Sequence, residues 1–148
     1  PWIESGGHFV SQYHRPIDNW DKTQSAPLRL QPGSPSIRWR VTDAAAPVRM
    51  LQPDHPLLNS PNRITEEDFD GWVKERGLYF ASDWDPAYVP LLAMSDTDEA
   101  PLEGSLLAAR IGAGSHVHCA LNLFYQMDHM VVGAFRLFAN LMTPSGRT

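Results

Sequence analysis

His116 and His118 are the residues of this sequence whose types and spacing most directly suggest chemistry. Side chains alternate along a β-strand, so histidines two residues apart project from one face, as two ligands of a zinc ion would. His8, Gln12 and His14 share one side of an earlier strand and could converge with the pair if the two strands were neighbours. A zinc site also needs a third ligand, which the sequence does not identify. We therefore expect hydrogen-bonded or solvated strand histidines, with a metal site as the alternative.

Cys119 is the single cysteine and a candidate nucleophile. A catalytic thiol needs a histidine partner and a lowered pKa. The adjacent His118 points to the other face of the strand, so we expect Cys119 to be a small buried hydrophobic residue. One cysteine cannot form an internal disulfide, which leaves the redox compartment open and is compatible with either the cytoplasm or export.

Two acidic segments have the residue types of calcium loops: 83–85 (Asp-Trp-Asp) and 96–99 (Asp-Thr-Asp-Glu). The second segment is followed by Ala100 and Pro101, so it lacks the glycine and the later oxygen ligand of an EF-hand. We expect both segments to be solvated acidic loops.

Two of the tryptophans, Trp20 and Trp84, lie in polar segments and are candidates for stacking on sugar rings. The other two in the interior of the sequence are expected in the core. Trp39 alternates with apolar neighbours in a predicted strand, and Trp72 falls on the apolar face of a predicted helix.

The elements that must position these residues follow from periodicity and turn residues. A helix is predicted over 66–76, with Thr65 and Asp68 as its capping pair and Gly77 at its end. A second helix is predicted over 131–142, ended by Pro144. Strands are predicted at 8–13, 36–41, 47–51, 78–80, 89–94, 106–110 and 116–121. Strands that bracket two helices indicate an α/β layer fold with a substantial antiparallel component.

Composition limits the class of protein. The 148 residues are 43% hydrophobic and 20% charged, which is typical of one globular domain. No apolar run approaches the ~20 residues of a membrane helix. Residues 66–103 hold most of the acidic groups, and no stretch combines Lys and Arg with stacking aromatics, so nucleic-acid binding is not expected.

The segment 55–80 is the most distinctive in the sequence. It reads His-Pro-Leu-Leu-Asn at 55–59, Asn-Arg-Ile-Thr at 62–65, Asp-Phe-Asp-Gly-Trp-Val at 68–73 and Glu-Arg-Gly-Leu-Tyr-Phe at 75–80. Together with residues 6–7, 12–13, 40–43, 46–48, 84–85 and 133–141, it resembles the C-terminal region of bacterial PIG-L/LmbE-family deacetylases. That region is similar to class I glutamine amidotransferase-like (ThuA-like) domains. The resemblance covers about 1–142 and implies a partial flavodoxin-like sheet with antiparallel additions and two main helices.

The sequence departs from both families at their catalytic residues. PIG-L-type deacetylases bind zinc through a His-Pro-Asp-Asp motif, whereas His55-Pro56 is followed here by Leu57-Leu58. Amidotransferases use a cysteine on a strand-to-helix elbow and a later His-x-Glu. Here Cys119 falls within a predicted strand, and no His-x-Glu occurs. The resemblance therefore implies a noncatalytic accessory or assembly domain, with zinc only in the deacetylase domain of the parent protein.

The resemblance also implies that 1–148 is one C-terminal amidotransferase-like domain without its first βα units. Its exposed sheet edges would then be covered by another chain, by self-association or by rearrangement. The expected partners are the N-terminal deacetylase domain and a second copy, with glycans as a further class. Two alternative functions stay open: a glycan-binding module using the tryptophans, and a small metal-binding hydrolase using the strand histidines.

Overall fold

A computed structural model describes residues 1–12 and 26–144 of the chain. Its strands and α-helices, in chain order, are β1 His8–Gln12, β2 Leu30–Pro32, β3 Val48–Met50, β4 Ala81–Trp84, β5 Tyr88–Pro90, β6 Leu92–Met94, β7 Leu106–Ile111, β8 Gly114–Cys119, α1 Leu123–Asp128 and α2 Val132–Met142. Three short 3₁₀ helices span Ser36–Arg38, Pro56–Leu58 and Glu66–Phe69.

The main sheet has four strands in the order β1-β8-β7-β5. β1 runs parallel to β8, whereas β7 is antiparallel to both β8 and β5. Two smaller antiparallel sheets pair β2 with β4 and β3 with β6. The protein is therefore a mixed α/β fold with a mixed sheet and two α-helices among the described residues. None of those helices is long and apolar enough to cross a lipid bilayer.

The β7–β8 hairpin is the part of the sheet that the sequence predicts best. β7 begins with a run of four apolar residues, β8 alternates valine and cysteine with histidines, and Gly112, with φ of 60°, supplies the backbone conformation that the turn requires. β8 begins two residues before the predicted strand 116–121 and ends two residues before its end.

The two faces of the main sheet carry separate apolar clusters. On one face, Val10, Ala108 and Val117 belong to the larger cluster, which includes Leu137 and Leu141 of α2. Burying a leucine of this kind stabilises the fold by about 1.5–3 kcal/mol. The opposite face carries the smaller cluster, formed with the β2–β4 sheet. Its buried members are Ala26, Leu30, Ala81, Tyr88, Leu107 and Ala109.

The predicted helix over 66–76 is wrong beyond its first turn. Thr65 N donates to the Asp68 carboxylate at 2.9 Å, so the capping pair is present, but only Glu66–Phe69 forms a 3₁₀ helix. The chain then turns at Gly71 and Lys74, whose φ angles are 74° and 70°. The backbone of Val73 and Glu75 bonds to the Gln126 side chain of α1 instead of continuing the helix.

Three strand predictions also need correction. Residues 36–41 form the 3₁₀ helix Ser36–Arg38 and a single bridge between Val41 and Gly77, because Arg38 N donates back to Pro35 O. Trp39 is accordingly half-buried, not part of a strand face. The strand predicted at 78–80 starts later, as β4, and 89–94 divides into β5 and β6, which join different sheets. No helix was predicted where α1 lies, between the predicted strand 116–121 and the predicted helix 131–142.

Candidate functional site

The predicted histidine pair lies buried on one face of the main sheet, within a polar group. Ser11 of β1 bonds to both histidines, with its Oγ 2.8 Å from His116 Nε2 and 2.9 Å from His118 Nδ1. Tyr88 Oη lies 2.7 Å from His116 Nδ1, and the Phe9 ring stacks on His116 with centroids 4.9 Å apart. Both imidazoles are fully buried. The two histidines thus share a face, as predicted, and are hydrogen-bonded.

Tyr88 sets the direction of these bonds. Burial raises the pKa of Tyr88 to about 12, more than the hydrogen bond from the Leu28 backbone lowers it, and the charge of Asp85 adds to the rise. The phenol therefore stays protonated and donates to His116 Nδ1. With His116 in the Nε2–H tautomer, this nitrogen donates to Ser11 Oγ, and the Ser11 hydroxyl donates to His118 Nδ1.

His8 does not join the histidine pair, and this prediction is wrong. The parallel register pairs His8 with Ser115 and Ser11 with His118, so alternation places His8 on the opposite face of the sheet. His14 and Trp20 lie outside the described residues. Within 1–12 and 26–144, no group of three or more His, Cys, Asp or Glu side chains is arranged to hold a metal ion.

His8 instead connects the sheet to the end of α2. Its Nε2 lies 2.6 Å from Leu141 O and its Nδ1 lies 2.6 Å from Ser115 Oγ. A carbonyl only accepts, so Nε2 donates to Leu141 O, and in the neutral imidazole Nδ1 accepts from the serine hydroxyl. This is the polarity of a serine–histidine nucleophile pair, but Ser115 is only 6% exposed. The arrangement therefore serves to hold β1, β8 and α2 together.

Cys119 lies in the core, as the sequence indicates. Its side chain is fully buried on the face opposite His118. Burial raises the pKa of Cys119 to about 12, against a smaller lowering by the hydrogen bond from the Leu121 backbone. The thiol is thus protonated at neutral pH and is not a nucleophile.

Three carboxylates of the two acidic segments, those of Asp83, Asp85 and Asp96, bind the chain itself. Asp83 pairs with Arg29 at 3.1 Å, and Asp85 accepts from Ala87 N at 2.9 Å. Asp96 accepts from Thr42 N, from Thr42 Oγ1 and from Asp43 N, at 3.0, 2.9 and 2.8 Å. Partial burial raises the pKa of Asp96, but these bonds and the charge of Arg40 outweigh it, so the net shift is downward.

Replacing Asp96 by asparagine is expected to lower the free energy of unfolding by about 1 kcal/mol at pH 7, because a partly exposed charge-assisted clamp is lost. The folded pKa lies below the ordinary value of 3.8, so the carboxylate stabilises the fold above pH 3.8 and loses this effect as the pH falls through the folded pKa. Urea unfolding at pH 7 and pH 2.5 measures the difference. Glu99→Gln, an exposed neighbour, is the control; a difference that persists at pH 2.5 would contradict the assignment.

Trp84 belongs to β4, so it does not lie in a polar loop as expected. Its side chain is half-buried and packs against the smaller apolar cluster. Its carbonyl accepts from Arg29 Nη2 at 2.7 Å. Trp84 therefore contributes to packing, and part of its ring surface remains accessible.

Arg76 shows how the distinctive segment 55–80 uses its polar residues. The guanidinium is 4% exposed and donates to Ala46 O through Nε and Nη2, at 3.1 and 2.7 Å, and to Phe69 O through Nη1. It lies over the rings of Phe69 and Trp72, 5.7 and 5.6 Å from their centroids. Its donors are thus directed at the chain's own backbone.

His55 and Asn59 act on the backbone in the same way. His55 Nδ1 accepts from Leu57 N at 3.1 Å and so caps the 3₁₀ helix Pro56–Leu58. Burial lowers the pKa of His55, which keeps it neutral and able to accept. Asn59 Nδ2 donates to Pro53 O and His55 O at 2.8 and 2.9 Å. The His-Pro dipeptide thus has a capping role.

The segment is fixed to the two helices by polar residues whose roles the sequence did not reveal. Asn140, fully buried on α2, donates to Leu57 O and Asn62 O and accepts from Asn62 N, at 2.9, 2.7 and 2.9 Å. Arg136 Nε pairs with Asp68 at 2.7 Å. Their position on the otherwise apolar pattern of α2 is the sequence feature that could have identified them.

α1 makes equivalent contacts. Gln126, also fully buried, accepts from Val73 N and donates to Val73 O, each at 2.8 Å, and donates to Glu75 O at 3.3 Å. Asn122 donates to the Glu75 carboxylate at 2.9 Å. These bonds replace those that a continued helix would make, and so they explain why the predicted helix ends early.

The polar groups described above are therefore directed mainly at the chain itself. Their hydrogen bonds hold the irregular segment 55–80 against α1 and α2. An open cleft of about 680 Å³ adjoins this segment, lined among others by Thr65, Gly71 and Val132, and its Arg136 is already paired with Asp68. The chain matches no protein-family model, no curated protein and no solved structure.

Proposed function

We propose that this chain is a noncatalytic assembly domain, and that it forms the C-terminal amidotransferase-like part of a PIG-L-type N-acetyl-amino-sugar deacetylase. One observation carries the noncatalytic role. In segment 55–80, which carries the resemblance, the side chains of His55, Asn59 and Arg76 bind backbone groups of the same chain. A catalytic segment would direct such groups at a substrate, whereas Arg76 donates to Ala46 O and Phe69 O, and His55 caps a 3₁₀ helix.

A flavodoxin-like origin of the sheet belongs to the same proposal. The parallel pairing of β1 and β8, and the packing of α2 on one sheet face, support it. The antiparallel strands β5 and β7 correspond to the additions that the resemblance implies. In such a protein the zinc ion and its ligands belong to the deacetylase domain, where zinc-activated water hydrolyses the acetamide. This chain would contribute assembly or substrate presentation.

The proposal predicts that the chain alone releases no acetate from N-acetylglucosamine, with or without added zinc. The measurement is an acetate assay on the purified protein at neutral pH. The alternative, a hydrolase that uses the strand histidines, predicts zinc-dependent turnover. Turnover that disappears in His118→Ala and persists in His129→Ala, which replaces an exposed histidine directly after α1, would contradict the noncatalytic assignment.

A further inference from the structure

α2 is apolar on the face that points to solvent as well as on the face that packs on the sheet. Its buried residues include Ala134, Leu137 and Leu141. On the other side, Val132, Phe135 and Met142 are 71%, 43% and 44% exposed, and Ala139 between them is half-buried. These four residues follow the spacing i, i+3, i+7, i+10 and so form one stripe, the α2 stripe. A helix that is apolar all round is normally covered on both sides.

The α2 stripe carries no uncommitted charge. The only charged residue of α2 is Arg136, whose Nε pairs with Asp68 at 2.7 Å and whose Nη2 donates to Arg63 O at 2.9 Å. A phosphate backbone or a strongly charged peptide would find no complementary charge here. A neutral apolar surface is instead complementary to a second copy of itself, because two copies can meet without like-charge repulsion.

Met130 extends the stripe at a cost to the folded chain. Met130 N donates to Met127 O, and Val131 N donates to Gln126 O, each at 3.0 Å, which is the Schellman ending of α1. Met130 has φ of 58° at the position where glycine is usual, and its side chain is 76% exposed. The fold alone would favour glycine at this position, so the monomer does not explain the methionine side chain.

We propose that the α2 stripe and Met130 form the self-association surface of this chain, packing on the same residues of a second copy across a two-fold axis. The exposed parts of Met130, Val132, Phe135 and Met142 amount to roughly 400 Å². A standard interface buries about 800 Å² on each partner, of which about 450 Å² is apolar, so these four residues would supply most of the apolar part of one such interface and the polar residues around them its rim. The inference rests on the proposed assembly role and names its partner.

The test is the molar mass in solution, measured by light scattering over a range of concentrations. Wild-type protein is expected to reach twice the monomer mass of 16.6 kDa. Phe135→Asp should give the monomer, because a carboxylate would be buried in the interface. Ile37→Asp, which alters another exposed apolar residue (62% exposed), should leave the dimer intact.

Met130→Gly is expected to change stability and association in opposite directions, which the replacement of a merely structural residue would not do. It should raise the melting temperature of the dilute monomer by about 3 °C, because the strained backbone is relieved, and weaken association by about tenfold or more, because apolar contact is lost. A wild-type monomer at all concentrations, or a dimer unaffected by Phe135→Asp, would overturn the inference. Zinc-dependent turnover would instead overturn the proposed function, so the two failures are distinguishable.

Discussion

Replacing Arg76 by alanine is expected to lower the free energy of unfolding by about 3–5 kcal/mol. The guanidinium is 4% exposed, and its loss would leave Ala46 O and Phe69 O without their donors and open a cavity beneath Trp72. Burial lowers the pKa of Arg76, against the opposing charges of Asp43 and Asp70, but an arginine stays charged at neutral pH. Equilibrium unfolding in urea at pH 7 measures the loss.

Two variants make this test specific. Arg76→Lys keeps the charge but not the planar fork that serves two carbonyls, so it should recover only part of the stability. Arg49→Ala, which removes an exposed arginine on β3, should change the free energy of unfolding by less than about 0.5 kcal/mol. A loss below about 1 kcal/mol in Arg76→Ala would contradict the structural role assigned to segment 55–80.

Replacing Gly133 by alanine is expected to cost about 3 kcal/mol, although alanine is the better helix former by about 1 kcal/mol. Gly133 is the second residue of α2, and a Cβ atom there would collide with the Asp68 carbonyl. Neither backbone can move far, because Asp68 is paired with Arg136. Helix propensity and packing therefore predict opposite signs for the change in the free energy of unfolding, and the urea midpoint of the variant decides between them.

Gly71→Ala is the matched control for this substitution. Its Cβ would meet open space, but its φ of 74° disfavours any residue with a side chain, so a loss of only about 1 kcal/mol is expected. A Gly133→Ala protein that is as stable as wild type would show that α2 does not pack directly on the 3₁₀ helix Glu66–Phe69.

Local patterns were sufficient for elements that depend on near neighbours in sequence. The apolar periodicity of 131–142 predicted α2 almost to the residue, and the strands predicted at 106–110 and 116–121 correspond to β7 and β8. The Thr65–Asp68 capping pair was also correct, but the helix it began stops after Phe69. Gln126, more than fifty residues away, takes the backbone groups of Val73 that would have continued that helix. Helix propensity depends on residues that are near in sequence, so it cannot predict that Gln126 competes for the backbone groups of Val73.

In the candidate site, too, features set by neighbouring residues were predicted and features set by distant residues were not. Alternation within one strand placed His116 and His118 on a common face, which the structure confirms. Whether His8 joined them depended on the register between β1 and β8, and a pairing of His8 with Ser115 sends it to the other face. Arg76 was likewise placed at the end of the predicted helix 66–76, because its acceptor Ala46 O lies 30 residues away in sequence and local patterns do not reveal it.

Hydrogen exchange of wild-type protein at low and high concentration tests the central claim, assembly through α2, most directly. Peptides covering α1 and α2 should exchange more slowly at about 500 µM than at about 5 µM, because the second copy covers the α2 stripe. Peptides covering β3 and β6, which lie outside the proposed interface, should exchange at the same rate at both concentrations. Equal exchange rates in α2 at both concentrations, or concentration-dependent protection that is confined to the strands, would contradict the account.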